Sequence, residues 1–211
     1  MKAFFGAKAV CVARNWRGHI QELGNEEPEQ PVFFIKPSSA LCSLSEPIRL
    51  PTWSQDVQHE VELALLIDNR LHEASVAEVQ AGISRCALSI DLTARDIQTA
   101  LKAKGLPWEK AKAFDCSLPI GPWISLDGIG PLSEVELRLS VNGQLRQCGQ
   151  IKQMIHSPFA LVSEASRYFT LLPGDVVVTG TPAGVGRLRV GDQLKLSLNQ
   201  SWHQSTEVIG G

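Results

Sequence analysis

The chain lacks a dominant charge: 20 lysines and arginines face 22 aspartates and glutamates over 211 residues, for a net charge of −2. That balance excludes the basic footprint by which a protein holds nucleic acid or an anionic membrane. Long hydrophobic runs are missing too, since no stretch approaches the roughly 20 apolar residues of a spanning helix. The five cysteines (Cys11, Cys42, Cys86, Cys116, Cys148) are odd in number, widely spaced and form no CxxC pair. Most lie beside apolar residues, as in CVA and RCALSI, which predicts reduced cysteines in a core. No local signature marks any of them as a nucleophile. At the N-terminus, the apolar run of MKAFFGAKAVCVARNW is broken by Lys8 and leads into Arg14, so no clean hydrophobic segment of a secretion signal exists. The expected location is the cytoplasm.

What is present is an ordinary globular composition, 44% apolar and 20% charged, which excludes a disordered or fibrous chain. A single domain over residues 1–211 is expected. It buries roughly 70% of its unfolded surface, so it needs no disulfide or structural metal to fold. No internal repeat or low-complexity segment interrupts it. The run GNEEPEQP at residues 24–31 is polar, acidic and bounded by proline, and predicts a mobile surface loop. Before it, residues 8–13 predict a strand and residues 16–23 a short helix capped by Asn15.

Beyond the loop, VFFI at residues 32–35 predicts a strand stopped by Lys36-Pro37. A longer one is predicted over 57–67, with Val57, His59, Val61 and Leu63 on one face. Residues 134–141 alternate and run into Asn142-Gly143, a strong hairpin signal. Further strands are predicted at 175–179 and 193–198, the latter closing the chain. Helices are predicted at 75–81, 92–104 and 158–169. Many strands, few helices and hairpins instead of regular strand–helix alternation predict a mostly-β or α+β fold.

Five segments carry candidate chemistry. In HEVEL, Glu60 and Glu62 are i and i+2 on a strand and share a face. Two carboxylates entering a core repel each other unless a cation sits between them; on a solvent-facing edge the same pattern is unremarkable. Asp91, at a strand-to-helix junction in SIDLTARD, fits an ordinary N-cap and equally a third carboxylate. Three hard oxygen ligands without a cysteine or histidine cluster select Mg²⁺ or Mn²⁺ over Zn²⁺. His19 and Glu22 are i and i+3 on the first helix, either an incidental surface pair or a carboxylate-oriented base. Lys112 is followed by apolar residues and, if buried, needs an anionic partner. In TGTPAGVG, residues 179–186, glycines and threonines allow close approach to a carboxylate, although this is no P-loop.

Taken together, RNWRGHIQE, FFIKPSSAL, HEVELALLID, SIDLTARDIQ, GLPWEKAKAFD, VNGQLRQ and TGTPAGVG resemble, in order and spacing, the fumarylacetoacetate hydrolase family, specifically its short acylpyruvase branch. The resemblance runs from about Ala9 to the C-terminus. It implies a β-roll of mixed sheets, a short N-terminal lid helix within residues 15–30, and a homodimer. It also implies a metal triad of Glu60, Glu62 and Asp91, a His19–Glu22 dyad, and substrate contacts from Arg95, Gln98, Lys112 and Thr181, with Lys112 counted among the catalytic groups. Two departures are visible. Trp16 stands where members usually carry tyrosine, and no counterpart of the separate N-terminal domain of the large eukaryotic hydrolases is present in this sequence.

The activity this resemblance implies is Mg²⁺-dependent (or Mn²⁺-dependent) chemistry on a small 2-oxo acid. Hydrolytic C–C cleavage of an acylpyruvate through a metal-stabilised enolate ranks first. The alternative is an isomerase, tautomerase or decarboxylase acting on oxaloacetate or a related 2-oxo diacid. A metal-binding scaffold without activity comes last, because both dyad and triad are intact.

Overall fold

The computed structural model describes residues 6–211; residues 1–5, part of the stretch considered as a secretion signal, lie outside the described residues. Strands β1 (Ala9–Ala13), β2 (Val32–Lys36), β3 (Leu41–Ser43) and β4 (Ile48–Leu50) precede the paired segments β5 (Val57–His59) and β6 (Val61–Leu66). Then follow β7 (Arg85–Ile90), β8 (Thr93–Ala94), β9 (Leu118–Ile120), β10 (Ile124–Ser125), β11 (Glu136–Val141) and β12 (Gln144–Gln150). Strands β13 (Val176–Val178), β14 (Gly186–Arg187), β15 (Gln193–Leu198) and β16 (Trp202–Gly210) complete the set. The helices are α1 (Arg17–Glu22), α2 (Val76–Ala81), α3 (Arg95–Ala103), α4 (Glu109–Lys112) and α5 (Pro158–Tyr168).

Eight strands form one sheet in the order β2-β1-β13-β6-β7-β9-β3, with β10 on β7. A second sheet runs β12-β11-β15-β16-β4, and a third, small one runs β14-β5-β8. The β1/β13, β3/β9 and β4/β16 pairs are parallel and the other pairs antiparallel, so two of the three sheets are mixed, as the family resemblance implies. The main core lies between Val10, Leu63, Leu65, Leu88 and Ile90 of the large sheet and Leu137, Leu139, Leu194 and Leu196 of the second. Ala9, Cys11, Ala64, Leu66, Val176 and Val178 bury the large sheet's other face. Strand β6 is therefore covered on both sides, which is why LALL reads as a continuous apolar run instead of an alternating one.

Several elements depart from expectation. The strand expected over 57–67 breaks at Glu60: β5 pairs with β14 and β8, whereas β6 pairs with β13 and β7. The side-chain parity survives the break, with Val57, Val61 and Leu63 all in the main core. Helix α3 starts three residues late because Thr93 and Ala94 first pair with β5. Asn15 does not cap α1. Trp16 holds the cap position, while the Asn15 amide donates to the carbonyls of His156 (3.0 Å) and Thr179 (2.9 Å), tying β1 to two distant segments. The chain does not close at residue 198; β16 follows, hidden from a pattern search because its WHQSTEVIG is mostly polar and exposed. Of the five free cysteines only Cys11 and Cys86 are buried, so most are not core residues. The Asn142-Gly143 hairpin holds as expected, both residues having positive φ as a type I′ turn requires. Among the described residues, no helix is long and apolar enough to cross a membrane.

Candidate active site

Strand register builds the site. In the antiparallel β6/β7 pair, Val61 lies opposite Ile90 and Glu62 opposite Ser89. Continuing one residue beyond each end brings Asp91 opposite Glu60, and the Asp91 N–H donates to the Glu60 carbonyl at 2.8 Å. Both strand and chain break therefore serve one result: Glu60, Glu62 and Asp91 are all buried, and each offers a carboxylate oxygen within 4.8 Å of the others. On the far side of β6, β13 ends at Val178 opposite Ala64, so the following Gly180 N–H reaches Glu62 Oε2 at 2.6 Å.

Three cations enclose this triad. Lys112, from the short α4, bonds Glu60 Oε2 and Asp91 Oδ2 at 2.7 Å each. Arg95, opening α3, pairs with Glu60 Oε1 and bonds Gln58 (2.9 Å) and Gln98 (2.6 Å), so Gln98 at i+3 steadies its guanidinium. Lys36 is fully buried; its ammonium lies 2.9 Å from Asp91 Oδ1 and donates to Ser117 Oγ at 2.9 Å. Each Asp91 oxygen thus faces a lysine ammonium, Oδ1 that of Lys36 and Oδ2 that of Lys112. Burial opposes ionisation of Glu60, but Lys112 and Arg95 outweigh it and hold its carboxyl below the ordinary range. Burial also works against the Lys112 charge, yet Asp91 and Glu60 keep that ammonium more firmly protonated than usual. Glu62 fares differently: burial, then repulsion from Asp91 and Glu60, pushes its carboxyl well above the usual value.

These features fit a divalent cation. The donors are hard oxygens within 4.8 Å of one another, and burial with repulsion from Asp91 and Glu60 leaves the Glu62 carboxylate in want of positive charge. The triad is a divalent-metal-binding site.

Helix α1 closes the pocket from above. His19 is buried, and its Nδ1 lies 3.2 Å from Glu22 Oε2; Glu22 Oε1 accepts from the Gly184 N–H at 3.0 Å. His19, Glu60, Glu62, Arg95, Gln98, Lys112 and Thr181 line one cavity of only about 30 Å³, room for an ion or a water. Glu22 and Asp91 stand directly behind that lining, so the structure brings all nine sequence-predicted residues together. The Thr181 hydroxyl donates to the Val61 carbonyl and accepts from Gln147 Nε2, both at 2.8 Å. The exposed or half-buried cysteines stand apart from the cavity, and burial pushes the Cys11 and Cys86 thiols up, away from a nucleophilic thiolate.

Sequence reasoning missed two members. Lys36 looks like a strand stop in the sequence, yet a lysine closing VFFI shares its face with Phe34, which lines the cavity. Gln147 is fully buried and joins four groups: it accepts from His59 Nδ1 (2.9 Å) and the Val61 N–H (3.0 Å), and donates to Thr181 and the Pro182 carbonyl. Nothing in its local pattern marks it, because a β-bulge turns it inward.

Fold and triad together define a metal-associated enzyme for small organic acids. The chain belongs to the fumarylacetoacetate hydrolase family: residues 8–209 match the model described as fumarylacetoacetate (FAA) hydrolase C-terminal. It is 46% identical over 194 residues to an oxaloacetate tautomerase of Escherichia coli, covering 92% of this chain and 89% of the relative. A mitochondrial oxaloacetate decarboxylase of Dictyostelium discoideum is 41% identical, with the same two coverages. The crystal structure of fumarylpyruvate hydrolase from Pseudomonas aeruginosa with Mn²⁺ and pyruvate superposes with a TM-score of 0.92 at 33% identity, over 98% of this chain and 91% of that one. The chain is thus a metal-dependent enzyme acting on 2-oxo acids.

Proposed function

We propose that this enzyme interconverts the enol and keto forms of oxaloacetate or a closely related 2-oxo diacid, using Mg²⁺ or Mn²⁺. The observation that carries the reading is the charge count. Glu60, Glu62 and Asp91 are matched by Lys36, Lys112 and Arg95, and Arg14 and Lys102 also line the cavity, so cations already outnumber the carboxylates. A divalent ion adds two more positive charges, and a buried site needs that excess neutralised. A dianionic 2-oxo diacid suits that excess better than a monocarboxylate. The two relatives named for oxaloacetate favour this reading above the hydrolysis that the motifs rank first, although cleavage of acylpyruvates remains the second reading, supported by the fumarylpyruvate hydrolase.

When bound, the metal supplies Lewis acidity that stabilises negative charge on the 2-oxygen. The chain's own residues do the rest. Arg95, steadied by Gln98, holds the distal carboxylate, and Thr181 takes the other end once its hydroxyl turns from the Val61 carbonyl. Glu22 fixes the His19 tautomer through Nδ1, leaving Nε2 to move the proton. In the enol-to-keto direction one proton leaves the enol oxygen and one is delivered to C3. No heavy-atom bond changes and no water is consumed. Substrate entry requires α1 and the loop after it, within residues 15–30, to open and close as a lid.

The test is enol-oxaloacetate decay with Mg²⁺-loaded enzyme, alongside acetylpyruvate cleavage. Ketonisation should accelerate over buffer, vanish with EDTA and return with Mg²⁺ or Mn²⁺. His19→Ala should lower kcat by about 10²–10⁴-fold. Rapid acetylpyruvate cleavage without any ketonisation would transfer the assignment to the hydrolase reading. The homodimer belongs to the same proposal, and light scattering should give twice the chain mass.

A further inference from the structure

We infer that a second cleft, between the β11/β12 hairpin and the segment after β14, binds a small oxyanion carrying two or more negative charges and is coupled to α1. The cleft measures about 510 Å³ and shares no lining residue with the triad cavity. Three arginines face it: Arg146, Arg187 and Arg189. Arg187 and Arg189 flank the buried Leu188, whose N–H bonds the Val57 carbonyl at 2.9 Å, so alternation turns both guanidiniums to the cleft side. Arg146 arrives by a different device. Leu139 pairs with Gln147 and Ser140 with Leu145, so Arg146 is the extra residue of a β-bulge, the kind of irregularity that re-aims a side chain.

Among the described residues, no carboxylate lies within ion-pair distance of these three exposed arginines; Arg146 donates only to the neutral Gln144 Oε1 (2.9 Å), whereas Arg17, Arg85, Arg95, Arg138 and Arg167 are ion-paired. Asp192 is the lone acid in the lining, and its oxygens already accept from the Arg189 N–H (2.7 Å) and Asn142 Nδ2 (2.8 Å). Three guanidiniums against one committed carboxylate in a concave setting call for a multivalent oxyanion, carboxylate or phosphate, that takes several charge-assisted hydrogen bonds.

The coupling runs through Gly184. Its φ of +102° and its packing, with a built Cβ only 1.9 Å from the Arg146 carbonyl oxygen, leave room for glycine alone. The backbone of the cleft wall thereby rests directly on the bulge, and the Gly184 N–H holds Glu22, the partner of His19. An anion that draws Arg146 towards Arg187 and Arg189 fixes this loop and with it the docked position of α1.

The experiment is calorimetric titration of the Mg²⁺-loaded enzyme, at constant free Mg²⁺, with inorganic phosphate in one arm and tricarballylate, a tricarboxylate without a 2-oxo group, in the other. Saturable binding in either arm is expected, and the stronger arm identifies the anion's chemistry. Arg187→Gln and Arg189→Gln should each weaken it about tenfold, whereas Arg138→Gln, on a different face, should not. Occupancy should slow hydrogen exchange over residues 17–27. No saturable binding in either arm, or affinity unchanged in both variants, overturns the site; unchanged exchange overturns the coupling. A change of assembly mass in Arg187→Gln with no anion effect also overturns it, marking the cleft as the seat of a second copy. None of these readouts depends on which 2-oxo acid the enzyme converts.

Discussion

At the scale of single residues, Asp96 in the first turn of α3 ties the helix that carries Arg95 and Gln98 to the segment before β5. Its Oδ1 accepts from Ser54 Oγ (2.7 Å) and the Ile97 N–H (2.9 Å), and its Oδ2 from the Gln55 N–H (2.8 Å). Burial alone would raise its pKa, but the bonds from Ser54, Gln55 and Ile97 outweigh that and hold it below the ordinary value. A carboxyl depressed on folding stabilises fully above its unfolded pKa, about 3.9, and loses that contribution as pH falls through the folded value. Asp96→Ala should therefore cost about 1 kcal/mol at pH 7, the size of its hydrogen bonds discounted for solvent screening. In urea melts the gap to the native protein should narrow below about pH 4; a gap of constant size would locate the loss in packing instead. Residue-scale legibility follows the same logic of charge. Glu60, Glu62, Asp91 and Lys112 are legible because an ionic group in an apolar run demands a partner, whereas Lys36, followed by proline, carries the pattern of a strand end. Gln147 carries no charge, and a bulge that only the partner strand defines puts it inside, so its role had no signature.

At the scale of elements, α1 owes its place to contacts outside itself. It has six residues, no side-chain cap and no acid in its first turn, too little to form a helix alone. Trp16, just before it, is buried with its indole over Gly149 of β12; a Cβ at Gly149 would lie 2.5 Å from the ring and 2.8 Å from Pro182 Cβ. The ring is therefore the support on which the start of α1 rests. Gly149→Ala should destabilise the fold by about 1–3 kcal/mol through overpacking, raise hydrogen exchange over residues 17–22, and lower turnover without changing metal affinity. Trp16→Leu, which removes the obstructing ring, should recover part of the stability in the Gly149→Ala background. Additive losses in the double variant would show that the two sites do not meet. Helix α1 was readable from sequence through its own spacing, but its anchor was not, since Trp16 and Gly149 lie far apart in the chain and glycine leaves no pattern.

At the scale of the whole molecule, the legible part of the architecture is the local part. The β11/β12 hairpin was readable from its turn, and the triad from segments close in sequence. The β1/β13 pairing joins residues more than 160 positions apart, and the division into three sheets turns on a break at Glu60 that no periodicity announces. The triad sits where this long-range order converges, on β6 and the end of β7, with Gly180 after β13 bonded to Glu62. Metal binding should therefore be felt as global stability. An ion that binds the folded chain alone, at a hundred times its dissociation constant, adds about 2.7 kcal/mol, which for a chain of this length raises Tm by roughly 5–10 °C. Calorimetry with Mg²⁺ or Mn²⁺ against EDTA should show that rise. Glu62→Gln should abolish it, yet the chelated variant should melt no lower than the chelated parent. Glutamine still accepts from the Gly180 N–H, and it removes a charge that burial, Asp91 and Glu60 all oppose. A Tm indifferent to both metals in the parent protein would mean that Lys36, Lys112 and Arg95 satisfy the three carboxylates by themselves, and that the triad is a structural ion network instead of a metal centre.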